Sequence, residues 1–363
     1  MFTAEDRRFM QQALALAEGG LYTATPNPRV GAVVVRNGLV VGEGFHARAG
    51  APHAEVVALD AAGPRAQGGT LYVTLEPCNH HGRTPPCTAR VIAAGVKRVV
   101  AAMRDPNPEV DGKGFAALRA AGLQVETGLL ELEATELNIG FVSRMTRGRP
   151  WVRLKIAASL DGKTALANGK SQWITGAEAR RDGHHWRARA CAVLTGIGTV
   201  LEDDPQLTVR NVETPRQPLR VVVDSRMETP PAARVLAGGN ALIAAAVQNE
   251  ERQRQFAVLG IETLMLPDAR GKVELQQLMA ALAQRGVNEV HVEAGWKLNG
   301  SLIREGCVDE LLVYLAPCLL GDTALGMAAL PGLEDLEARR RLQITDVLPV
   351  GSDLRLLARM VAG

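Results

Sequence analysis

Hydrophobic and polar positions alternate through the first part of the chain with helix-like and strand-like periods in turn. Thr3 can accept a backbone hydrogen bond as the N-cap of an amphipathic helix over residues 3–18. The β-branched runs at residues 30–36 and 39–44 are separated by Asn37-Gly38, which predicts a tight hairpin. Further helices are predicted at residues 53–62, 88–94 and 114–121, and further strands at 70–75, 98–103 and 124–127. This order predicts an α/β layered domain with a partly parallel sheet.

The remainder of the chain repeats this alternation after a polar junction. A single helix is predicted over residues 130–145, and the following stretch contains Gly148 and Pro150, which favour a linker. Strands are predicted at residues 151–157, 192–195, 219–223, 241–246, 289–292 and 310–315, and helices at 178–190, 275–285 and 298–305. We therefore expect one domain over residues 1–147 and a second α/β domain over residues 148–363.

Composition narrows the classes of function. The 41 basic residues nearly balance the 39 acidic ones, and aromatic residues make up only 4% of the 363 positions. Nucleic-acid-binding proteins usually carry a basic patch and stacking aromatic side chains, so a small-molecule substrate is favoured. No stretch reaches the roughly 18 apolar residues of a membrane span, and the start has no apolar signal core. Five cysteines without a regular framework favour a reducing compartment, so we expect a cytoplasmic protein without membrane contacts.

A short motif and two later cysteines carry the chemistry of the N-terminal domain. His53 and Glu55 flank an alanine, and Cys78 and Cys87 follow downstream, the first of them after a proline. One imidazole and two thiolates are suitable ligands for Zn²⁺ and leave a fourth position for water. In zinc deaminases with this H-x-E and P-C pattern, the glutamate is the general acid and base and not a ligand. The motif therefore predicts hydrolytic loss of ammonia from an aminated ring.

The same residues allow two other interpretations. His80 or His81 could complete a closed structural zinc site with His53 and the two cysteines. Free cysteines are also common as small buried apolar residues with no metal at all. The motif by itself leaves these alternatives open.

A longer pattern surrounds the motif. It comprises N-P-R-V-G from Asn27, G-F-H ending at His46, and E-P-C-N-H-H-G-R-T-P-P-C from Glu76 to Cys87. The eight residues between Cys78 and Cys87 exceed the two that are usual in nucleic-acid deaminases. With this insertion the segment resembles the bifunctional riboflavin-biosynthesis deaminase/reductase family. The resemblance implies an N-terminal cytidine-deaminase-like α/β/α sandwich.

The resemblance also implies the substrate and the residues of the first site. The implied substrate is the ribotide 2,5-diamino-6-(phosphoribosylamino)pyrimidin-4-one, which would lose its 2-amino group. The implied zinc ligands are His53, Cys78 and Cys87, with Glu55 as the proton shuttle. The implied substrate contacts are Asn27, His46, His80, Arg83, Asp105 and Asn107. Ordinary turn chemistry accounts as well for Asn27, Asp105 and Asn107, and a structural role for His46.

The second domain carries a different set of motifs. No G-x-G-x-x-G follows a predicted strand, so a Rossmann dinucleotide-binding fold is not supported. The strand at residues 289–292 runs into a turn at Gly295 and a helix, and free N–H groups at such a helix start can bind phosphate. Four more motif segments accompany it, at residues 154–163, 171–175, 198–210 and 223–225. Together they resemble the reductase half of the same family, whose fold is similar to dihydrofolate reductase and whose cofactor is NADPH.

The resemblance implies two sets of contacts in this domain. The residues implied for NADPH are Ala157, Trp173, Thr199, Asp203, Ser225, Gly295, Trp296, Lys297, Leu298, Asn299, Gly300 and Ser301. The residues implied for the ribotide are Lys155, Ser171, Arg187, Leu207, Arg210 and Glu293. Arg187 and Arg210 suit a phosphate group, although Arg187 could instead lie on a solvated helix face. Lys155 and Glu293 are candidates for relaying a proton, and Arg226 for reading the extra phosphate of NADPH. Hydride transfer to C1 of the ribose would open the ring.

Three hypotheses cover the whole chain. The leading one is a bifunctional enzyme that deaminates a ribotide with zinc and then reduces its sugar with NADPH. The alternatives are a nucleic-acid deaminase with a C-terminal binding module and a non-catalytic zinc scaffold. Two sites in one chain would permit direct transfer of the intermediate, and a homo-oligomer, dimer or tetramer, is expected because symmetric oligomers are common. Cys191, Cys307 and Cys318 lie among apolar residues and are expected to be packing residues.

Overall fold

The computed structural model describes residues 1–79, 86–332 and 334–361. By its internal contacts the chain forms two compact units, Met1–Gly148 and Arg149–Gly363. We refer to them as the N-terminal unit and the C-terminal unit. Among the described residues, every helix is too short or too polar to cross a membrane.

The N-terminal unit is built on one five-stranded sheet. Its strands are β1 (Gly31–Arg36), β2 (Leu39–Phe45), β3 (Thr70–Val73), β4 (Arg98–Ala101) and β5 (Gln124–Thr127). They lie in the order β2-β1-β3-β4-β5, with β1 antiparallel to both neighbours and β3, β4 and β5 parallel. The predicted hairpin is confirmed, since Asn37 and Gly38 both have positive φ, at 51° and 75°.

Helices cover this sheet. They are α1 (Ala4–Ala17), α2 (Ala54–Ala62), α3 (Cys87–Ala93), α4 (Lys113–Ala120), α5 (Glu131–Leu137) and α6 (Ile139–Arg147), with 3₁₀ turns at Glu18–Gly20 and Gly63–Ala66. Thr3 caps α1 as predicted, in a capping box with Asp6. Two glycines allow close packing of helices on the sheet. A Cβ on Gly31 would lie 1.9 Å from the Ala13 carbonyl oxygen of α1, and one on Gly42 would lie 2.2 Å from the Ala58 carbonyl oxygen of α2.

The predicted single helix over residues 130–145 is wrong. Two helices, α5 and α6, meet at Asn138, whose backbone (φ −109°, ψ 19°) leaves the helical region. Its buried carboxamide accepts from the Arg29 N–H at 2.7 Å and donates to the Arg29 carbonyl oxygen at 2.9 Å. The side-chain amide therefore pairs with the backbone of residue 29 as a neighbouring strand would. Local periodicity does not reveal such a long-range contact.

The C-terminal unit contains a nine-stranded sheet and a two-stranded one. Its strands are β6 (Trp151–Ser159), β7 (Lys163–Ala165), β8 (Ala192–Gly196), β9 (Leu219–Val223), β10 (Ala241–Ala245), β11 (Glu262–Met265), β12 (Glu289–Val292), β13 (Glu310–Ala316), β14 (Leu325–Gly326), β15 (Leu342–Val350) and β16 (Asp353–Met360). The large sheet has the order β11-β10-β9-β8-β12-β6-β13-β16-β15, and β7 pairs with β14. All neighbours in the large sheet are parallel, except that β16 runs antiparallel to both β13 and β15.

The helices of this unit include the three that were predicted. They are α7 (Ala177–Arg189), α8 (Ile197–Asp203), α9 (Glu250–Val258), α10 (Leu275–Gln284) and α11 (Trp296–Arg304), with 3₁₀ turns at Arg234–Leu236 and Leu336–Ala338. The six predicted strands are present, but α8, α9 and five strands (β7, β11, β14, β15 and β16) were not predicted. Strand β15 is exposed over almost its whole length, so it has no buried face to impose an alternating pattern.

One face of the large sheet carries buried charge near the amino ends of β6, β12 and β13. Arg153 donates to Glu310 at 2.6 Å and to Glu289 at 3.2 Å, and all three side chains are almost fully buried. Arg189 on α7 also donates to Glu289, at 2.8 Å. We call these four residues the buried charge network. Its members satisfy one another in a region from which water is largely excluded.

Replacing Asn138 with alanine should destabilise the N-terminal unit. The change removes the hydrogen bonds from Asn138 to the N–H and the carbonyl of Arg29, which costs about 2–4 kcal/mol when the groups are buried. Urea unfolding followed by far-UV circular dichroism measures the loss. The exposed helix variant Gln11→Ala is the control and should change the free energy of unfolding by less than about 0.5 kcal/mol. Equal effects of the two variants would refute the assignment.

Candidate functional site

A metal-binding group forms where three elements of the N-terminal unit meet. His53 is the N-cap of α2, Cys87 is the first residue of α3, and Cys78 follows the carboxyl end of β3. The His53 Nδ1 lies 3.1 Å from the Cys87 Sγ and 3.6 Å from the Cys78 Sγ. All three potential ligand atoms lie within 4.8 Å of one another. The predicted zinc ligands are thus brought together.

The donor set fits zinc. Hydrogen bonds from Cys87 and His53 lower the pKa of the Cys78 thiol to about 4, while the contact with Cys78 raises the pKa of Cys87. One thiolate, one imidazole and a second thiol are the soft and borderline donors of zinc sites. Among the described residues the group contains no fourth histidine, cysteine or carboxylate, which fits a site with an open position. His80 and His81, the fourth ligands of the closed-site interpretation, lie outside the described residues.

Glu55 lies in the first turn of α2, beside this group. Its side chain is only 4% exposed, and burial raises its pKa to about 7. Glu55 and Cys87 also affect each other's pKa, so the carboxyl group lies near a predicted metal ligand. A carboxyl group with a pKa near neutrality can both accept and return a proton, as a general acid and base must.

His46 and Asn27 extend the site. The His46 ring stands edge-on to the His53 ring, with centroids 5.3 Å apart. Its Nδ1 lies 3.1 Å from the Pro52 carbonyl oxygen, and its Nε2 lies 3.0 Å from the Asn27 Nδ2. A carbonyl oxygen can only accept, so Nδ1 carries the proton and Nε2 accepts from the Asn27 amide. Burial lowers the pKa of His46, in agreement with this neutral form.

Two of the remaining predicted substrate contacts, Asp105 and Asn107, lie in a turn after β4. Asp105 is buried, and its carboxylate accepts from the Asn107 N–H at 2.8 Å. Asn107 in turn accepts from the Glu109 N–H at 3.1 Å. These are turn-forming bonds, and the turn follows β4, the parallel neighbour of β3. His80 and Arg83 lie outside the described residues.

A second polar group lies at the carboxyl ends of adjacent strands in the C-terminal unit. Glu293 follows β12, and Lys155 lies on β6, next to it in the sheet. Arg187 on α7 holds Glu293 in a two-pronged ion pair, with one contact at 2.9 Å, and also donates to the Thr208 carbonyl oxygen at 3.1 Å. The half-buried Arg187 is therefore not on a solvated helix face.

The charges of this group are set by burial and by Arg187. Burial alone would raise the pKa of Glu293, but the Arg187 guanidinium outweighs it and holds that pKa well below its usual range. Burial lowers the pKa of Lys155, which Glu293 opposes. The group thus combines a firmly ionised carboxylate with an ammonium that gives up its proton more readily than an exposed lysine.

Other implied ribotide contacts lie around this group. Arg210 is exposed, and its guanidinium donates to the neutral oxygens of Gln206 and Thr208 at 3.1 and 3.2 Å. Ser171 is half-buried in the loop before α7. The side chain of Leu207 is buried in a hydrophobic cluster under β9 and β10, so only its backbone, at φ 52°, is available to a ligand.

The residues implied for NADPH surround the start of α11. Gly295 is its N-cap, no side chain caps its first N–H groups, and a Cβ on Gly295 would lie 3.7 Å from the Thr199 Oγ1. These uncapped donors suit a phosphate group, as the implied cofactor requires. Asn299 is buried in α11 and donates to the Met327 carbonyl oxygen at 3.0 Å, and Gly300 packs against the backbone of Ala329.

The other implied cofactor residues lie on several helices, strands and loops of the C-terminal unit. Asp203 accepts from Gln172 at 3.0 Å, and Trp173 is 70% exposed with the Arg180 guanidinium 4.6 Å from its ring centroid. Ser225 follows β9 and accepts from the Val273 N–H at 3.2 Å. Lys297 is exposed, and the other four remaining members are half-buried: Ala157, Trp296, Leu298 and Ser301. Of these, Leu298 packs against the hydrophobic core. Arg226 is exposed.

Two buried histidines near the polar group of Lys155, Arg187 and Glu293 were not predicted from the sequence. His291 lies on β12 with its Nε2 3.4 Å from Glu293. His184 accepts from the Arg210 N–H at 3.3 Å, and burial together with Arg187 and Arg210 lowers its pKa to about 4. The available signal was the alternation of Glu289, His291 and Glu293 with apolar residues along and just beyond the predicted strand.

The three cysteines outside the metal-binding group differ in burial. Cys191 and Cys307 are buried in the core of the C-terminal unit, as predicted. The prediction for Cys318 is wrong, because its side chain is exposed just beyond the end of β13. Apolar neighbours in sequence did not bury it, since the chain there leaves the sheet.

Two family descriptions match the chain. Residues 3–103 match the cytidine and deoxycytidylate deaminase zinc-binding region, and residues 150–356 match the RibD C-terminal domain. The riboflavin biosynthesis protein RibD of Escherichia coli is 48% identical over 97% of this chain and 98% of that protein. RibD of Aquifex aeolicus is 43% identical over 96% of this chain and 97% of that protein.

Solved structures are similar over both units. RibD of Acinetobacter baumannii has a TM-score of 0.92 and 44% identity, covering 99% of each chain. A diaminohydroxyphosphoribosylaminopyrimidine deaminase/5-amino-6-(5-phosphoribosylamino)uracil reductase of Thermotoga maritima has a TM-score of 0.87 and 34% identity, covering 98% of this chain and 99% of that one. These similarities agree with the predicted cytidine-deaminase-like and reductase folds.

Replacing Cys87 with alanine should abolish stoichiometric zinc binding, because only two of the three clustered donors remain. We expect about one zinc ion per chain in the wild type and almost none in the variant after dialysis. Added zinc should also raise the melting temperature of the wild type alone, through its preferential binding to the folded chain. Cys318→Ala removes an exposed cysteine elsewhere and should keep the zinc. Full retention of zinc by the Cys87→Ala variant would contradict the assignment.

Proposed function

Because this chain belongs to the RibD family of bifunctional riboflavin biosynthesis proteins, we propose that it acts on the diaminopyrimidinone ribotide in two ordered steps. Its deaminase domain would remove the 2-amino group of 2,5-diamino-6-(phosphoribosylamino)pyrimidin-4-one. Its reductase domain would then convert the ribosyl group to a ribityl phosphate with NADPH. The observation that carries the first step is the buried Glu55 carboxyl group beside the three clustered zinc donors.

In the deamination step, His53, Cys78 and Cys87 would hold the zinc ion. When bound, zinc supplies a water molecule acidic enough to attack at neutral pH. Glu55 takes a proton from the attacking water and returns protons to the ring nitrogen and to the departing amine. Water adds its oxygen to the ring carbon, the carbon–nitrogen bond to the amine breaks, and ammonia leaves.

His46 and Asn27 would orient the substrate in that step. The bond from Asn27 to His46 uses one amide hydrogen and leaves the Asn27 carbonyl oxygen free to accept from the pyrimidine or the ribose. His46 is in turn fixed by the Pro52 carbonyl oxygen. Asn27 is thereby held in one amide orientation, which favours one pose of the ring.

In the reduction step, the uncapped N–H groups at the start of α11 would hold a phosphate of NADPH, with Thr199 beside Gly295. NADPH supplies a hydride to C1 of the ribose. Breaking the bond from C1 to the ring oxygen requires a proton on that oxygen. Lys155, with its lowered pKa, would provide the proton, and Glu293 would keep the lysine in place.

The positive charge near α7 would bind the ribotide phosphate. Arg187 forms an ion pair with Glu293. The guanidinium of Arg210 instead donates to the uncharged side-chain oxygens of Gln206 and Thr208. Burial together with the positive charges of Arg187 and Arg234 lowers the pKa of Arg210, so an anion at this point is favoured. Arg210 is therefore the better candidate for the phosphate contact.

The proposal includes the organisation of the chain. Domains over residues 1–147 and 148–363 are supported by the compact units Met1–Gly148 and Arg149–Gly363. A cytoplasmic location and the absence of nucleic-acid partners remain predictions from composition. A homo-oligomer also remains a prediction, which the exposed apolar side chains of the edge strand β15 support: Leu342, Ile344, Val347 and Leu348.

The Glu55→Gln variant tests the two steps together. Ammonia release from the diaminopyrimidinone ribotide should fall by at least about 10²-fold, because the amide cannot move protons. NADPH oxidation from that substrate should fall with it, yet remain at the wild-type rate when the deaminated ribotide is supplied. Ammonia and near-UV absorbance are assayed in parallel. A zinc-loaded wild type that does neither reaction would overturn the substrate assignment.

Removing the partner of Glu293 should shift the pH dependence of the reductase step. In Arg187→Met, burial is no longer outweighed by the guanidinium, so the pKa of Glu293 rises. The ionised carboxylate then exists only at higher pH, and the acid limb of kcat/KM for the deaminated ribotide moves upward. Profiles between about pH 5 and 8 measure it. Arg181→Met, an exposed site on the same helix, is the control and should leave the limb unchanged. An unmoved limb in Arg187→Met would exclude this role.

A further inference from the structure

Glu76 is a buried carboxylate that the proposed reaction does not use. It is 3% exposed and directly precedes the Pro77-Cys78 pair of the metal-binding group. Its Oε1 accepts from the N–H groups of Gly114 and Phe115 at 2.9 and 3.2 Å. Its Oε2 accepts from the N–H groups of Asp105 and Gly112 at 3.2 and 3.0 Å. One side chain thus receives four backbone hydrogen bonds, all from a single downstream segment.

These bonds connect two regions that follow adjacent parallel strands. Glu76 follows β3, and the segment over residues 105–115 follows β4 and leads into α4. The backbone of Glu76 also donates to the Met103 carbonyl oxygen at 3.0 Å. Contact is so close that a Cβ on Gly114 would lie 2.0 Å from the Pro77 carbonyl oxygen.

A carboxylate suits this position better than an amide. All four groups that face it are donors, so each oxygen must accept twice. Gly114 and Phe115 belong to the first turn of α4, where unpaired N–H groups and the helix dipole favour negative charge. A glutamine would turn one oxygen into an NH₂ group and set it against two N–H donors.

We infer that Glu76 is a positioning residue of the deaminase site, which holds the Asp105–Asn107 turn in register with the metal ligands. The inference rests on the proposed function and on the ribotide contacts of Asp105 and Asn107 that the family resemblance implies. Glu76 contacts neither zinc donors nor Glu55 in the hydrogen bonds described above. Its effect on the reaction would therefore pass through the turn, and should appear in substrate binding.

The test compares Glu76→Gln with wild type in ammonia release from the diaminopyrimidinone ribotide. We expect KM to rise about 10- to 100-fold with kcat changed less than about threefold, because the turn is displaced while the reacting groups stay. Zinc content should stay at the wild-type level. The reductase rate with deaminated ribotide should also be unchanged, which shows within the same chain that the protein is folded.

Two further variants sharpen the test. Glu109→Gln makes the same chemical change at an exposed position of the same segment and should leave KM unaltered. Gly114→Ala keeps the Glu76 carboxylate but forces α4 away from Pro77, so it should raise KM in the same way. This variant gives an answer even where the glutamine variant does not fold.

The outcomes distinguish the positioning role of Glu76 from the identity of the proposed substrate. A raised KM in Glu76→Gln or Gly114→Ala, with zinc and reductase activity retained, supports the positioning role. A fall in kcat at constant KM, or loss of zinc in both variants, would assign Glu76 to general scaffolding and overturn the inference. Failure of the wild type to release ammonia from this ribotide would instead overturn the proposed substrate.

Discussion

Parallel pairing of neighbouring strands is the constraint on which both candidate sites depend. In the N-terminal unit it brings the segments after β3 and β4 to one edge, so that Cys78 and the Asp105–Asn107 turn are neighbours. In the C-terminal unit it does the same for β9, β8, β12 and β6. Polar residues placed just beyond each strand therefore meet without any need for closeness in sequence.

Local patterns predicted most of the buried elements and the donor set of the metal-binding group. They failed where a distant contact decides the local conformation. Asn138 breaks a helix because its amide pairs with the backbone of Arg29, and β15 lacks a buried face that would mark it. The sequence likewise suggested Arg187 as a phosphate ligand, because the sequence alone does not show which carboxylate an arginine pairs with. Only the packing of α7 against the strand end pairs it with Glu293.

Two glutamates of the candidate sites show how one residue type serves opposite tasks. Glu55 is buried without a neighbouring cation strong enough to offset the loss of water, and its pKa rises to about 7. Glu293 is half-buried, yet the Arg187 guanidinium outweighs the loss of water and holds its pKa well below the usual range. The first carboxyl group can exchange protons at neutral pH, whereas the second remains a fixed negative charge.

The buried charge network of the C-terminal unit has a consequence for how this sequence can change over evolutionary time. Arg153 and Glu289 each have two partners, so replacing either one removes two buried ion pairs at once. Such a loss costs about 3–5 kcal/mol, whereas exchanging all members for apolar residues can be nearly neutral. We therefore expect single steps away from the network to be selected against and its positions to change together, with strong epistasis between them.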